Sequence, residues 1–153
     1  MDQVEDLARR LETLEAIEAI RGLKARYFRF VDEKKHDDLA ALFTPDSRLV
    51  TDGIAWESPE QFAHTIRDLT GAAPSVHHGH MPEIEITGPD SATGIWAMED
   101  LLTFPVGEDA PEGHSGYGQY RETYRKIDGE WLIDSLVLTR FRMDPLANWS
   151  GGE

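Results

Sequence analysis

The chain has 153 residues, a formal net charge of −14 and no cysteine, which predicts one domain with a substantial core and excludes disulfides and thiolate chemistry. Because phosphate binding needs a basic surface, the acidic balance argues against nucleic acid and anionic membranes as partners. The acidic N-terminus lacks the regions of a signal peptide, and no apolar run approaches the about 20 residues of a membrane-spanning helix, so we expect a cytoplasmic protein.

Residues 3–34 are predicted to form one long helix or two collinear helices. Apolar side chains recur every three or four positions and mark an amphipathic stripe, while Asp2 and Glu5 have the spacing of a capping box. The first half of this stripe could lie on a neighbouring subunit. Tyr27 and Asp32 fall near the end of the helix, about 140° apart around its axis. Only a pocket that wraps around the helix end could use both.

The next segment is predicted to contain two shorter helices around a strand hairpin. A helix over 37–43 ends at a stop-and-turn signal at 44–46, and extended segments on both sides of a tight turn follow over 48–56. Ser58 has the position of an N-cap for the third helix, which Gly71 closes.

The rest of the chain is predicted to be almost entirely strand. Successive hairpins predict an antiparallel sheet, and helices followed by strands indicate an α+β fold in which three helices cover one face of a curved sheet. A helix that plugs a cone made by such a sheet leaves a pocket between the two. The four long strands are predicted over 76–87, 92–104, 117–127 and 131–143.

The first long strand opens with three of the six histidines in the chain: His77, His78 and His80. Because side chains alternate along a strand, His78 and His80 would share one face with Ile84 and Ile86, and His77 would lie on the other. If the isoleucines face the interior, two imidazoles lead into it, where they suit proton transfer or metal binding. A bulge or an edge at Gly79 and Pro82 could break this alternation.

Five segments taken together carry a family resemblance: 26–32, 39–46, the histidine-rich strand, 90–94 and 124–131. In this order and spacing they resemble the SnoaL-like group of the nuclear transport factor two and ketosteroid isomerase superfamily. The resemblance covers about residues 10–143 of a single domain over 1–153. It implies a cystatin-like, cone-shaped α+β barrel and is closest to the scytalone dehydratase and bile acid 7α-dehydratase branch.

The resemblance also implies an active site. In that branch a tyrosine and an aspartate at a helix end, matched by Tyr27 and Asp32, meet a strand histidine that His78 or His80 can match. The histidine would act as base and then acid, Asp32 would orient it, and Tyr27 would donate to a substrate oxygen.

The implied protein is a lyase or isomerase without cofactor or metal, acting in a homodimer or homotrimer. Its substrate would be a hydrophobic hydroxylated or keto-bearing small molecule, such as a steroid or a polyketide. Dehydration is the leading reaction, with isomerisation and cyclisation as the nearest rivals.

Further side chains are candidates for the wall of the pocket because they are large and apolar, or charged on otherwise apolar strands. Each large apolar or aromatic side chain more often belongs simply to the core, and the two charged ones could face outward. His114 is expected in solvent unless its loop covers the pocket. The candidates for substrate binding are Trp56, Trp96, Met98, Asp100, Tyr117, Tyr120 and Arg140.

Two other functions stay open. His78 and His80, followed by Glu83 or Glu85, approach the spacing of a cupin metal site, which would suit iron, manganese or zinc. Cupins are nearly all strand, however, and the segment before these residues is mainly helical. Alternatively, the pocket belongs to a module that binds a small molecule or a protein without catalysis.

Overall fold

The structure is a computed structural model that describes residues 2–104 and 112–146. Its elements confirm the predicted α+β class, with helices before a mostly antiparallel sheet. Among the described residues, no helix has the length and apolar character needed to cross a membrane. The elements are α1 (Gln3–Asp32), α2 (His36–Ala40), β1 (Phe43–Thr51), β2 (Ile54–Ala55), α3 (Pro59–Thr70), β3 (Ser75–Gly88), β4 (Ser91–Phe104), β5 (Glu112–Ile127) and β6 (Glu130–Pro145).

The six strands form one sheet in the order β2-β1-β6-β5-β4-β3. The predicted hairpins pair β3 with β4, β4 with β5 and β5 with β6, all antiparallel. Asp128 and Gly129 form the last turn with φ values of 50° and 82°, the left-handed conformation expected of an Asp-Gly hairpin. β1 joins β6 in parallel, a pairing that the hairpin signals could not predict.

Helix α1 is buried only in its second half. The predicted capping box is present: the Glu5 N–H donates to Asp2 Oδ1 at 2.8 Å and the Asp2 N–H donates to Glu5 Oε2 at 3.2 Å. The helix face is buried from Ile20 onward, so the residues before it form an arm. Its contact with a neighbouring subunit stays a prediction. Four large apolar side chains of the arm are exposed: Val4, Leu7, Leu11 and Leu14.

The predicted stop-and-turn at 44–46 is wrong, because these residues lie within β1. Thr44 is fully buried, and its hydroxyl donates to Asp134 Oδ1 at 2.8 Å, which holds the segment against the sheet. The register of β1 with β6 is irregular between Phe43 and Arg48, and such an irregularity accommodates Pro45, which has no N–H to donate. Residues 105–116 lie between two predicted strands and were expected to form a loop. Residues 105–111 lie outside the described part, and 112–116 are already strand.

The core contains a fully buried ion pair between α1 and β5. Lys24 Nζ lies 2.5 Å from Glu122 Oε1, and both side chains are completely buried. The second oxygen of Glu122 accepts from the Tyr124 hydroxyl at 2.5 Å, and the indole of Trp96 donates to that hydroxyl at 2.9 Å. Burial lowers the pKa of Lys24 to about 8, although Glu122 acts in the opposite direction.

The Lys24 ammonium also fixes two aromatic rings. It lies 3.7 Å from the ring centroid of Tyr27 and 3.6 Å from that of Tyr120, and a cation over an aromatic face is attracted by the electron density of the ring. The buried ion pair therefore holds these two tyrosines beside each other, facing the interior.

Candidate active site

A cavity of about 210 Å³ lies between α1, α3 and the inner face of the sheet. A mostly apolar cavity with a few polar groups is typical of sites for small organic molecules. Its apolar wall is formed by Val31, Ile54, Trp56, Phe62, Ile66, Leu69, Leu102, Phe104 and Leu138. Its polar groups are Tyr27, Thr51, Asp52, Thr70, Ser75, His77, Asp100, His114, Tyr120 and Arg140.

One imidazole at this cavity, that of His77, forms a dyad with Asp32. His77 Nδ1 lies 2.7 Å from Asp32 Oδ1, and the His77 side chain is only 10% exposed. A carboxylate can only accept, so Nδ1 carries the proton in this pair. His77 lines the cavity and Asp32 does not, which puts the carboxylate behind the ring. The second ring nitrogen, Nε2, is then an acceptor suited to take a proton from a ligand.

The end of α1 and the start of β3 hold Asp32 in place. Asp32 is the last residue of α1, and its Oδ2 accepts from the backbone N–H of His77 at 2.9 Å. Ser75 Oγ donates to Asp32 Oδ1 at 3.1 Å and accepts from Lys34 Nζ at 3.2 Å. Both carboxylate oxygens are thus engaged by donors from the strand, which fixes the orientation of the dyad.

The predicted placement of His78 and His80 in the pocket is wrong. Both are about half exposed on the opposite face of β3, beside Glu99. The register of β3 with β4 shifts between His80 and Glu83, and Met81 has a φ of 46°. This bulge changes which positions face inward, so the isoleucines at 84 and 86 pack on the core although the histidines at even positions do not.

Helix α1 approaches β3 closely at Gly79, between the two exposed histidines. A Cβ at this position would overlap the ring of Phe28, so only glycine permits the contact. The inward positions before the bulge are thus 75, 77 and 79, and this spacing brings His77 to the end of α1.

Asp100 and Arg140 form a second polar group at the cavity. The Arg140 guanidinium donates to both Asp100 oxygens, at 2.8 and 2.7 Å, and its Nε lies 2.9 Å from an oxygen of Asp52. Burial would lower the pKa of Arg140, but the bonds to Asp100 and Asp52 raise it overall. A Cβ at Gly116 would collide with this pair. The predicted pocket placement of Asp100 and Arg140 agrees with the structure.

The two tyrosines and Trp56 also line the cavity, as predicted. Tyr27 and Tyr120 are 3% and 1% exposed, and burial raises the pKa of both phenols, with Glu122 contributing at Tyr27 and Tyr27 at Tyr120. Both hydroxyls therefore keep their protons at neutral pH. The indole of Trp56 donates to Thr51 Oγ1 at 2.8 Å, which orients its ring at the wall.

Three of the predicted substrate-binding side chains lie elsewhere. Trp96 and Met98 are on the inner face of β4 and buried, but Trp96 packs under α1 with its ring edge-on to Phe28, away from the cavity. Tyr117 is 41% exposed. It is three residues from Tyr120, and an odd spacing along a strand puts two side chains on opposite faces.

His114 is a cavity residue that the sequence analysis expected in solvent. It lies on β5 and lines the cavity, and its Nε2 is buried without a hydrogen-bond partner among the described residues. Burial and the nearby Arg140 lower its pKa, which disfavours the protonated ring. The sequence did contain a signal for this position: His114 is separated from Gly116 and Tyr120 by an even number of positions along β5, so its side chain lies on the same inner face.

The structure thus combines an α+β fold with an Asp-His dyad at an apolar cavity. The SnoaL-like domain family matches residues 12–137, which is most of the chain, and the protein belongs to this family. The resemblance inferred from the sequence is thereby confirmed.

Individual relatives differ in the reaction that their names describe. A probable cyclase of Gibberella zeae is 26% identical over 141 residues, covering 82% of this chain and 91% of the relative. A candidate scytalone dehydratase from Novosphingobium aromaticivorans shares the fold with a TM-score of 0.75 at 19% identity, over 90% of this chain and 92% of that one. The hexachlorocyclohexane dehydrochlorinase LinA-type3 from Novosphingobium barchaimii has a TM-score of 0.75 at 21% identity, over 91% and 95% of the two chains.

Proposed function

We propose that the protein is a lyase that removes water from a hydrophobic hydroxylated or keto-bearing small molecule without a cofactor. The observation that supports this most strongly is the Asp32–His77 dyad, in which an oriented imidazole borders a mostly apolar cavity. The names of the similar proteins point the same way, because a dehydratase and a dehydrochlorinase both eliminate a small molecule across a carbon-carbon bond.

His77 supplies the acid-base chemistry in this proposal. Its Nε2 takes a proton from the carbon next to a carbonyl group, and the C–H electron pair forms an enolate. The enolate then collapses to a carbon-carbon double bond and expels the hydroxyl group at the β position. The imidazolium returns its proton to this hydroxyl, so that water leaves and the ring is neutral again. Asp32 acts through His77 by holding the ring and stabilising its positive form.

The buried tyrosines serve the oxygen of the substrate. A phenol that keeps its proton can donate to the carbonyl oxygen as negative charge develops on it, and this stabilisation is stronger in a cavity that excludes water. Tyr27 and Tyr120 have raised pKa values because of their burial. Asp100 and Arg140 provide fixed polar atoms for a second oxygen of the substrate.

Cyclisation is the second candidate reaction. The relative from Gibberella zeae is named a probable cyclase, and an enolate formed by His77 could attack a second carbonyl of the same molecule instead of expelling a hydroxyl. The two reactions differ in their products, because intramolecular addition alone leaves the molecular mass unchanged while dehydration lowers it by one water.

A screen of hydroxylated and keto-bearing steroids and aromatic polyketides tests the proposal. Conversion is followed by mass spectrometry, and binding by quenching of tryptophan fluorescence, for which Trp56 at the cavity wall is the reporter. We expect loss of one water with the wild-type protein and with His64→Gln, a matched variant of a half-buried histidine on α3 that does not line the cavity, but not with His77→Gln. Binding of a compound without any conversion, equal in all three proteins, would instead indicate a non-catalytic binding module.

A further inference from the structure

His78, His80 and Glu99 form a compact group on the outer face of the sheet, away from the cavity. Glu99 Oε1 lies 3.1 Å from His78 Nδ1 and 3.3 Å from His80 Nε2. The potential ligand atoms of the three side chains all lie within 4.8 Å of one another. The side chains are 53%, 46% and 46% exposed, so a small ion can reach them from solvent.

The strand geometry assembles this group. His78 and His80 are separated by one residue, and side chains two positions apart on a strand project from the same face, here the outer face of β3. Glu99 is the register partner of His78 on β4, which brings a carboxylate directly opposite an imidazole. Gly79, between the two histidines, is required by the close packing of Phe28 on the inner face.

The spacing fits the coordination sphere of a divalent metal. With metal-nitrogen and metal-oxygen bonds of about 2.0–2.2 Å, adjacent ligand atoms of a tetrahedral ion are about 3.3–3.6 Å apart. Of the two Glu99 separations, that to His80, at 3.3 Å, already has this spacing, and that to His78, at 3.1 Å, is slightly shorter. The remaining separation, between the two imidazoles, can close through rotation of exposed side chains that no other described residue holds in place.

We propose that His78, His80 and Glu99 bind a late first-row divalent transition metal such as Zn²⁺, Ni²⁺ or Cu²⁺. Two imidazoles and one carboxylate favour these ions over Mg²⁺ and Ca²⁺, which prefer oxygen ligands alone. The site differs from the cupin-like alternative of the sequence analysis in its carboxylate, which comes from the neighbouring strand, and in its location outside the cavity.

The metal would link β3 to β4 next to the pair of residues that face the cavity. His77 pairs with Asp100 and His78 pairs with Glu99 in the register of these strands. Of these two adjacent pairs, the first therefore faces the cavity and the second faces the metal site. An ion bound outside would fix the separation of the strands that hold His77 and Asp100 inside.

Isothermal titration calorimetry of chelator-treated protein with Zn²⁺, Ni²⁺ and Mg²⁺ tests the proposal. We expect one Zn²⁺ or Ni²⁺ per chain for the wild type and no competition from excess Mg²⁺. Substitution of residues that merely support metal ligands costs about 10–100-fold in affinity, so His80→Ala and Glu99→Gln should each weaken binding by at least about tenfold. His64→Ala, which removes another exposed histidine, should bind like the wild type.

Thermal unfolding provides a second readout. A ligand that binds only the folded chain stabilises it by mass action, so Zn²⁺ should raise the unfolding midpoint of the wild type and of His64→Ala but not of His78→Ala/His80→Ala. Unchanged binding in Glu99→Gln and the double variant, or no binding by the wild type, would overturn the proposal. Neither result depends on the reaction proposed for the cavity.

Discussion

Asp32→Asn is the perturbation that tests the proposed dyad most sharply. Both oxygens of Asp32 accept from N–H groups of His77, Oδ1 from Nδ1 at 2.7 Å and Oδ2 from the backbone at 2.9 Å. An asparagine offers one acceptor and one NH₂ group. If its oxygen keeps the backbone bond, its NH₂ donates to Nδ1 and the ring proton moves to Nε2, so the base is lost. If the asparagine amide rotates by about 180°, its NH₂ group faces the backbone N–H of His77, and two donors then point at each other.

The expected loss in kcat/KM is about 100-fold or more, the scale of an acid-base group, which corresponds to about 2.7 kcal/mol of transition-state stabilisation. The assay is steady-state kinetics on a substrate found in the screen, together with ligand affinity and urea unfolding. Ser75→Ala is the matched control, since it removes one donor to Asp32 and leaves the dyad intact, and it should cost less than about tenfold. Activity of Asp32→Asn within about threefold of the wild type would refute the reasoning.

Two further predictions concern the buried charges. Arg140→Met leaves the Asp100 carboxylate, which is 1% exposed, without its partner, and it should lower the free energy of unfolding measured in urea by about 3–5 kcal/mol. Adding Asp100→Asn should recover part of this loss. A loss below about 1 kcal/mol in Arg140→Met would contradict this prediction. The pKa of Lys24 is lowered from 10.5 to about 8, so as pH rises the native state loses this proton before the unfolded state does. The free energy of unfolding of the wild type, relative to that of Lys24→Met/Glu122→Gln, should therefore increase between about pH 8 and pH 10.5, with a slope of up to about 1.4 kcal/mol per pH unit. A pH-independent difference in unfolding free energy would refute this expected increase.

The fold was largely predictable because its signals are local. Capping residues mark helix starts, as Ser58 does by accepting from the Gln61 N–H at 3.0 Å, and the Asp-Gly turn at 128–129 fixes the register of the last hairpin. The turn signal of Pro45 failed because an irregular strand pairing accommodates it. The parallel pairing of β1 with β6 depends on packing between distant segments, which no local signal carries.

The candidate site was predictable in its residue types and only partly in their positions. The positions of Tyr27 and Asp32 were predictable because both lie near the end of α1. Which histidine faces inward depends on the β-bulge at Met81, which exchanges the inner and outer positions along β3. Gly79 and Pro82 signalled a break in alternation without locating it. On β4, Trp96 has the predicted inward direction, yet the position of α1 decides that it packs under a helix and not at the cavity.

The tautomer of His77 tests the central claim most directly, and it requires no substrate. Long-range proton-nitrogen NMR spectra of chelator-treated, ¹⁵N-labelled protein, assigned by comparison with His77→Gln, distinguish the two neutral forms of an imidazole ring. Because Asp32 accepts from Nδ1, we expect the neutral form of the His77 ring to carry its proton on Nδ1 and a free electron pair on Nε2. A neutral ring with its proton on Nε2 would contradict this expectation, since that nitrogen could not act as the base at the cavity.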